Sequence, residues 1–304
     1  MFFRNLTFFR FPAWLDVSNT DALGEQLAEC PAKPVGPLEL ASRGFVPPLG
    51  HGFEALCHQV GAAIWITLGG ENKILPAAAV NRELAKRLRE IEAREGRKPG
   101  GKTRKRIKDE VIHDLLPRAL VKPYRLDAYL DTARGFIVAD TSSRKAAEGL
   151  GSEVRLARGT FPALPLNAEV APRAVLTGWL AGDPLPDGLS LGSECELRDP
   201  ADSGGVVRIR GQEMVGEEIA KHLEAGKQCT RLALVLDDRV SFVLGEDLVI
   251  RKFKILDGAL EQLDATEPDD LTAELSARFA LLAGEVGRLF DVLERVLKLS
   301  KADG

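Results

Sequence analysis

The sequence predicts an α+β protein, in which antiparallel strands and helices are mixed along the chain rather than alternating regularly. Three observations lead to this class. Neighbouring β-prone segments are separated by turn residues, as at 230–236 and 240–244. Charged segments within 78–117 carry apolar residues at helical spacing. Apolar residues also recur every three or four positions from 270 to 300, which predicts a final helix roughly 45 Å long.

The first quarter of the chain is predicted to form a strand, a helix, a loop and a β-hairpin, at 2–11, 20–30, 42–52 and 62–76. The strand segment is short and aromatic, and Thr20 is a favourable helix N-cap. Glycine and proline interrupt the loop segment. In the hairpin, the Gly-Gly-Glu-Asn segment at 69–72 is predicted to be the turn.

The stretch 81–125 differs from the rest of the chain in its charge. It holds fifteen Lys/Arg and seven Asp/Glu, a net charge of +8 (15 − 7), whereas the whole chain carries −4. The apolar spacing predicts one helix that ends near Gly96 and a second that starts near Thr103 and ends at Pro117. Two amphipathic helices joined by a basic loop predict a projecting helical hairpin.

The later elements are predicted from the same signals of alternation, capping and turn residues. Predicted strands lie at 125–131, 136–140, 204–210, 230–236, 240–244 and 248–255. Predicted helices start at Ser142 or Ser143 and at Gly216, and 175–180 is helical or irregular. The long helix at 270–300 completes the chain.

The bulk composition, 45% apolar and 28% charged, is that of an ordinary soluble protein. No apolar run approaches the roughly 18 residues that span a bilayer, and the first residues lack the apolar core of a signal peptide. Four well-separated cysteines form no CxxC pair, which favours free thiols in a reducing cytoplasm: Cys30, Cys57, Cys195 and Cys229. We therefore expect a cytoplasmic protein without a membrane partner.

The segment Gly96–Thr103 matches G-x-x-x-x-G-K-[ST], the pattern of a phosphate-binding P-loop. A P-loop follows a buried strand, whereas a charged helix is predicted directly before Gly96. The LALVLDD segment at 232–238 imitates a strand that ends in a magnesium-binding Asp, but one arm of a hairpin explains it better. A P-loop nucleotide hydrolase using Lys102 and Thr103 therefore stays an alternative.

Other catalytic or metal-binding patterns are weak. Glu110 and His113 have the E-x-x-H spacing of di-iron bundles, but those sites need a second such pair and further glutamates. No G-x-S-x-G or H-E-x-x-H motif occurs. We therefore expect a protein that is not an enzyme and that has no metal or cofactor.

The simplest interpretation of the basic stretch is a solvated helical face. However, its charge excess is not balanced by i,i+4 ion pairs, and the loop RKPGGKTRKR at 97–106 is almost entirely cationic. These observations favour contacts to nucleic-acid phosphates. Because no helix-turn-helix, zinc-finger or RNP motif is present, binding without strong sequence preference is expected. A basic arm that docks onto an acidic protein is a third hypothesis.

Several segments together resemble the recombination-associated protein RdgC family. They occur in family order over nearly the full length: FFRNLTFFRF (2–11), GFVPPLG (44–50), KILP (73–76), EGRK (95–98), KDEVIHDLLPRAL (108–120), GGVVRIRGQE (204–213), EEIAKHLEAGK (217–227) and LALVLDDRVSFVL (232–244). The resemblance implies a bacterial, nucleoid-associated protein that binds single- and double-stranded DNA and restrains RecA-promoted strand exchange. It implies horseshoe-shaped subunits that pair into a ring dimer around DNA, without catalytic activity or cofactor.

The resemblance also implies a gate contact between the two subunits, made by Leu120, Gly211 and Gln212. Relatives commonly carry Phe at the position of Leu120 and can carry Lys before the glutamine. This chain therefore lacks an aromatic anchor and one cation of the implied gate.

The expected organisation is a central α+β region at 1–76 and 125–200, a basic arm at 77–124 and a second α+β region at 201–304. Candidate DNA contacts are cations of the arm, its base and the predicted strand at 204–210: Lys73, Arg97, Lys98, Lys102, Arg104, Lys105, Arg106, Lys108, Arg118, Arg208 and Arg210.

Overall fold

The computed structural model of the protein describes residues 2–201, 205–264 and 270–302. Within these ranges the chain is mixed α+β with antiparallel sheets, which confirms the predicted class. The described helices are α1 (Thr20–Ala28), α2 (Ala77–Glu95), α3 (Gly101–Leu115), α4 (Arg144–Arg158), α5 (Pro172–Ala181), α6 (Glu217–Glu224), α7 (Asp257–Asp264) and α8 (Leu271–Leu297).

Twelve strands in the described residues form two sheets. The first sheet has the order β2-β4-β5-β6-β1-β7, with β3 also paired to β4: β1 (Thr7–Arg10), β2 (Ala41–Val46), β3 (Cys57–Val60), β4 (Ala63–Ile74), β5 (Leu120–Asp131), β6 (Phe136–Ala139) and β7 (Leu164–Pro165). The second has the order β12-β11-β10-β8-β9: β8 (Leu189–Arg198), β9 (Val206–Arg210), β10 (Gln228–Leu236), β11 (Val240–Gly245) and β12 (Ile250–Ile255).

Helix α8 packs against the first sheet and is tied to the second. The ring of Phe279 lies 5.4 Å from Trp65 and 5.6 Å from Tyr129, centroid to centroid. Further along the helix, the buried carboxylate of Glu285 accepts a hydrogen bond from Arg239, in the β10–β11 turn, at 2.6 Å. A single hydrophobic cluster therefore contains residues from α8 and from both sheets. The opposite face of the first sheet is covered by α1 and α4.

The turn predicted at 69–72 is wrong, because β4 continues without a break from Ala63 to Ile74. Its glycines serve close approach between strands instead. Gly70 has φ +142°, and a Cβ at this position would lie 2.1 Å from the carbonyl oxygen of Ser42 on β2. A residue with a side chain would push β2 away, so the glycine is required by the neighbouring strand.

The first part of the loop predicted at 42–52 is also wrong, since strand β2 occupies Ala41–Val46. Only two of its six residues are buried, so it lacks the apolar signal by which strands are recognised in sequence. Strand β5 begins at Leu120, five residues before the prediction, and β8 was not predicted at all. The strand predicted at 204–210 is described only from residue 205, because Gly204 lies outside the described residues.

Cys195 and Cys229 are buried on the core face of the second sheet, at 1% and 0% exposure. Burial raises the pKa of the Cys195 thiol to about 11 and raises that of Cys229 well above its usual value. The thiolate is the reactive species, so a disulfide reagent at pH 8 is expected to label at most Cys30 and Cys57 in the folded protein. Absorbance counting of labelled thiols before and after adding guanidinium tests this.

A Cys195→Ser/Cys229→Ser variant provides the control, since its folded-state thiol count should equal that of the wild type. Four reactive thiols in the folded wild-type protein would contradict the buried positions.

Candidate nucleic-acid interface

Most of the basic stretch forms a helical hairpin, which we call the arm (residues 77–118), while residues 120–125 belong to strand β5. Helix α2 ends at Glu95, Gly96 reverses the chain with a left-handed φ of +69°, and α3 begins at Gly101. The two helices pack through a small core of four buried residues: Val80, Leu84, Ile107 and Val111. This core matches the narrow apolar stripe in the sequence and leaves the other faces of both helices for solvent or a ligand.

The arm is inserted between two adjacent strands of the first sheet. Strands β4 and β5 pair along their whole length, and the last pair is Ile74 with Leu120. The arm therefore leaves and re-enters the sheet at neighbouring positions. A 3-10 turn at Leu116–Arg118 connects α3 to β5 and places Arg118, which is exposed, at the base of the arm.

The seven cations predicted between residues 97 and 108 are all exposed on the arm. Of these, Arg106 pairs with Glu110 at 3.6 Å. Among residues 2–201, 205–264 and 270–302, no carboxylate lies within ion-pair distance of the other six: Arg97, Lys98, Lys102, Arg104, Lys105 and Lys108.

The acids of the arm are partly neutralised by a cation outside the predicted set. Arg87 of α2 pairs with Glu83 at 3.6 Å and with Asp114 at 2.8 Å. The hydrogen bond that Arg87 donates to the Asp114 carboxylate is the main reason that the pKa of Arg87 is raised. These ion pairs lie on the helices, whereas the unpaired cations lie in the connecting loop and the first two turns of α3.

Helix α3 starts without a side-chain cap on its first N–H groups. Uncapped N–H groups and the positive end of the helix dipole favour an anion such as phosphate. Beside this end, Arg104, Lys105 and Lys108 line a shallow cavity of about 340 Å³ between the two helices. The P-loop pattern spans the same point, but helix α2 and not a strand precedes it. The sheet-top geometry of a P-loop is therefore missing.

The other predicted cations occupy two further places. The ammonium of Lys73, near the end of β4, donates a hydrogen bond to the carbonyl oxygen of Pro37. Arg208 and Arg210 are exposed on β9, an edge strand of the second sheet, where they pair with Glu196 at 2.8 Å and Glu194 at 3.7 Å. The structure thus groups the arm cations together beside the first sheet, whereas Arg208 and Arg210 lie on the second sheet.

The residues of the implied gate are all exposed. Leu120 is 76% exposed at the start of β5, beside the exposed Ile74 and Val121. Gly211, with φ +72°, and Gln212 follow β9 in the second sheet. Within one chain, Leu120 and the 211–212 pair therefore belong to different sheets.

Two of the three arginines that surround Glu196 are absent from the predicted set. Arg198 lies at the end of β8 and Arg231 on β10, and both face the same carboxylate as Arg208. The alternation of charged and apolar residues in Glu194–Arg198 is the only sequence signal for this arrangement, because the residues come from three strands.

The fold and the site define an α+β protein with an exposed, cationic helical arm. The profile of the family described as "Putative exonuclease, RdgC" matches residues 1–300. Proteins named "Recombination-associated protein RdgC" from Xanthomonas axonopodis pv. citri (strain 306) and Stenotrophomonas maltophilia (strain R551-3) are 61% and 56% identical to this chain over 304 residues, the full length of each. The chain belongs to the RdgC family, which confirms the resemblance seen in the sequence.

Two observations bear on other classes of site. No described helix has the length and apolar character required to cross a membrane. In the described part of the chain, no three His, Cys, Asp or Glu side chains are grouped so that they could hold a metal ion.

Proposed function

We propose that this protein binds single- and double-stranded DNA through the phosphates, without strong sequence preference. The observation that carries this proposal is the set of six exposed arm cations without an ion-pair partner among the described residues. Cations already engaged by carboxylates have less to gain from a phosphate, whereas free ones release counterions from DNA on binding. The uncapped start of α3 adds backbone N–H donors at the same place.

We further propose that two horseshoe-shaped subunits close into a ring dimer around DNA. DNA held by the ring would be a poorer substrate for RecA, so the protein would restrain RecA-promoted recombination in the cytoplasm, at the nucleoid. The names of the relatives, which state an association with recombination, support this role. The exposed Leu120, with Ile74 and Val121 beside it, is an apolar surface of the kind that a subunit contact covers. A mass near 66 kDa by light scattering, twice 33.0 kDa, would support the dimer.

We propose a binding protein rather than an enzyme, although the family description contains the word exonuclease. Incubating the protein with linear DNA and Mg²⁺ or Mn²⁺ tests the difference. Shortened DNA that depends on the protein would contradict the binding-only proposal.

The two alternatives from the sequence have their own tests. Heat released or absorbed on titration of the protein with Mg-ATP would favour the P-loop hydrolase. Failure of plain duplex DNA to displace a captured acidic protein would favour the docking arm.

The binding proposal predicts a steep dependence on salt. If about 6–10 phosphates are contacted, affinity for duplex DNA should fall by about 10³–10⁵ between 50 and 200 mM salt. Fluorescence anisotropy with two unrelated duplexes and one single strand measures this and the sequence preference together. Salt-independent binding, or a strong preference for one of the two duplexes, would overturn the proposal.

A further inference from the structure

The outer face of the second sheet carries a group of cations that is separate from the arm. The inner face is apolar and buried in the core, with Cys195, Leu197, Leu232 and Leu234 among its residues. The outward residues of the neighbouring strands β8, β9 and β10 are mostly charged or small instead, with Val206 and Val235 near the ends of their strands. At the middle of this face Gly192 lies against Ala233, and these small residues leave room for the side chains of Lys252 and Glu194 to meet above the strands between them.

Glu196 is the centre of this charged face. It points outward from β8, yet only 7% of its side chain is exposed, because arginines cover it. Its carboxylate accepts a hydrogen bond from Arg208 Nε at 2.8 Å and lies 3.6 Å from Arg231 and 3.9 Å from Arg198. The hydroxyl of Thr230 donates to it at 3.1 Å. One carboxylate therefore positions three guanidinium groups.

Glu196 remains charged in this environment. Burial alone would raise its pKa, but the hydrogen bond from Arg208 and the charge of Arg231 outweigh burial, so the pKa is lowered. Glu194 acts in a similar way on two more cations, Arg210 at 3.7 Å and Lys252 at 2.5 Å. Five cations thus surround two carboxylates, an excess of +3 (5 − 2).

The guanidinium groups keep donors for a ligand. Among the described residues, Arg208 uses only its Nε for a hydrogen bond, and its side chain is 61% exposed. Arg208 and Arg210 are two residues apart on β9, so their Cα atoms are separated by about 7 Å along one side of the strand. Two anionic groups in succession could be bound in this way, each by a planar fork of N–H donors.

We propose that this face, comprising Arg198, Arg208, Arg210, Arg231 and Lys252, is a second surface for the sugar–phosphate backbone, with Glu194 and Glu196 as its positioning residues. The inference rests on the proposed DNA-binding function and adds to it a surface outside the arm. The side chains of all five cations are substantially exposed, so the face is complementary in charge to a linear polyanion.

Two double variants test the proposal by the slope of log affinity against log salt for duplex DNA. Arg210→Gln/Lys252→Gln removes the cations at Glu194 and leaves the group around Glu196 intact. Arg198→Gln/Arg231→Gln removes two cations at Glu196 and leaves Arg208. Each is expected to lower the slope by about 1 and to weaken binding about tenfold at 100 mM salt, since one full phosphate contact contributes about 0.9 to the slope and Glu194 and Glu196 offset part of the charge removed.

The matched control is Lys33→Gln/Lys145→Gln, which removes the same charge from exposed positions outside both surfaces. Far-UV circular dichroism checks that each variant is folded. If the Arg198→Gln/Arg231→Gln variant does not fold, the Arg210→Gln/Lys252→Gln variant still tests the proposal. Wild-type slopes in both variants, with a reduced slope in an arm variant, would overturn this inference but leave the DNA-binding function standing. Unchanged DNA binding together with lost binding to polyglutamate would instead indicate an acidic protein partner. No DNA binding by the wild-type protein would overturn both proposals.

Discussion

Replacing Lys98, Lys102 and Lys105 with glutamine is expected to weaken binding to duplex DNA about 100-fold at 50 mM salt and to lower the salt slope by about 3. All three side chains are exposed and have no ion-pair partner among the described residues, so each is available to a phosphate. The effect should be similar for unrelated sequences, because phosphate contacts carry no base information. Fluorescence anisotropy across a salt series measures both quantities.

The control for this variant is Lys33→Gln/Lys145→Gln/Lys301→Gln, which removes three exposed lysines elsewhere. It should retain most of the wild-type slope and affinity. Equal losses in both triple variants would mean that net charge, and not the arm, governs binding. The single variant Lys102→Gln should lower the slope by only about 1. A complete loss of function from that single change would instead support a P-loop role for Lys102.

Replacing Phe290 with alanine is expected to lower the free energy of unfolding by about 3–5 kcal/mol. The ring is fully buried on α8, 4.5 Å from Phe136 and 5.4 Å from Phe8, and the guanidinium of Arg10 lies over it at 5.1 Å. Removing it leaves a cavity where the helix meets the first sheet. Urea denaturation followed by circular dichroism gives the value.

Leu271→Ala provides a comparison on the same helix, since Leu271 is 57% exposed at its first turn. Its expected effect is within about 0.5 kcal/mol. If Phe290→Ala lowers the free energy of unfolding by less than about 1 kcal/mol in the same experiment, the aromatic contacts of α8 do not contribute substantially to the stability of the core. A shift in the urea midpoint without a change in m, the dependence of the unfolding free energy on urea concentration, would show that the variants differ from the wild type in stability alone.

Local signals explain which parts of the fold were predictable. The helices of the arm were placed within about two residues, because their apolar spacing and the glycine at 96 act over a few neighbouring positions. The break predicted in β4 failed for the opposite reason. Whether Gly70 makes a turn or a close contact depends on Ser42, which lies on another strand. Such a requirement becomes visible only once strand partners are known.

The candidate site shows the same division. The arm cations are contiguous in sequence, so their excess charge could be read directly. The group around Glu196 could not be predicted from the sequence, since Arg198, Arg208 and Arg231 meet only through the pairing of three strands. Arg87 was also unremarkable in sequence, although it neutralises two acids of the arm.

The insertion of the arm between β4 and β5 has a consequence for the order of folding. Pairing Ile74 with Leu120 directly would require closing a loop of the 45 residues from 75 to 119, which costs entropy before any contact is gained. Contacts within the arm are local, and helices with local contacts form early. Once α2 and α3 have paired, the ends of both strands are already neighbours. The arm therefore shortens the search for the longest strand pairing of the first sheet, and we expect the segment that carries the excess of cations to assist assembly of the core as well.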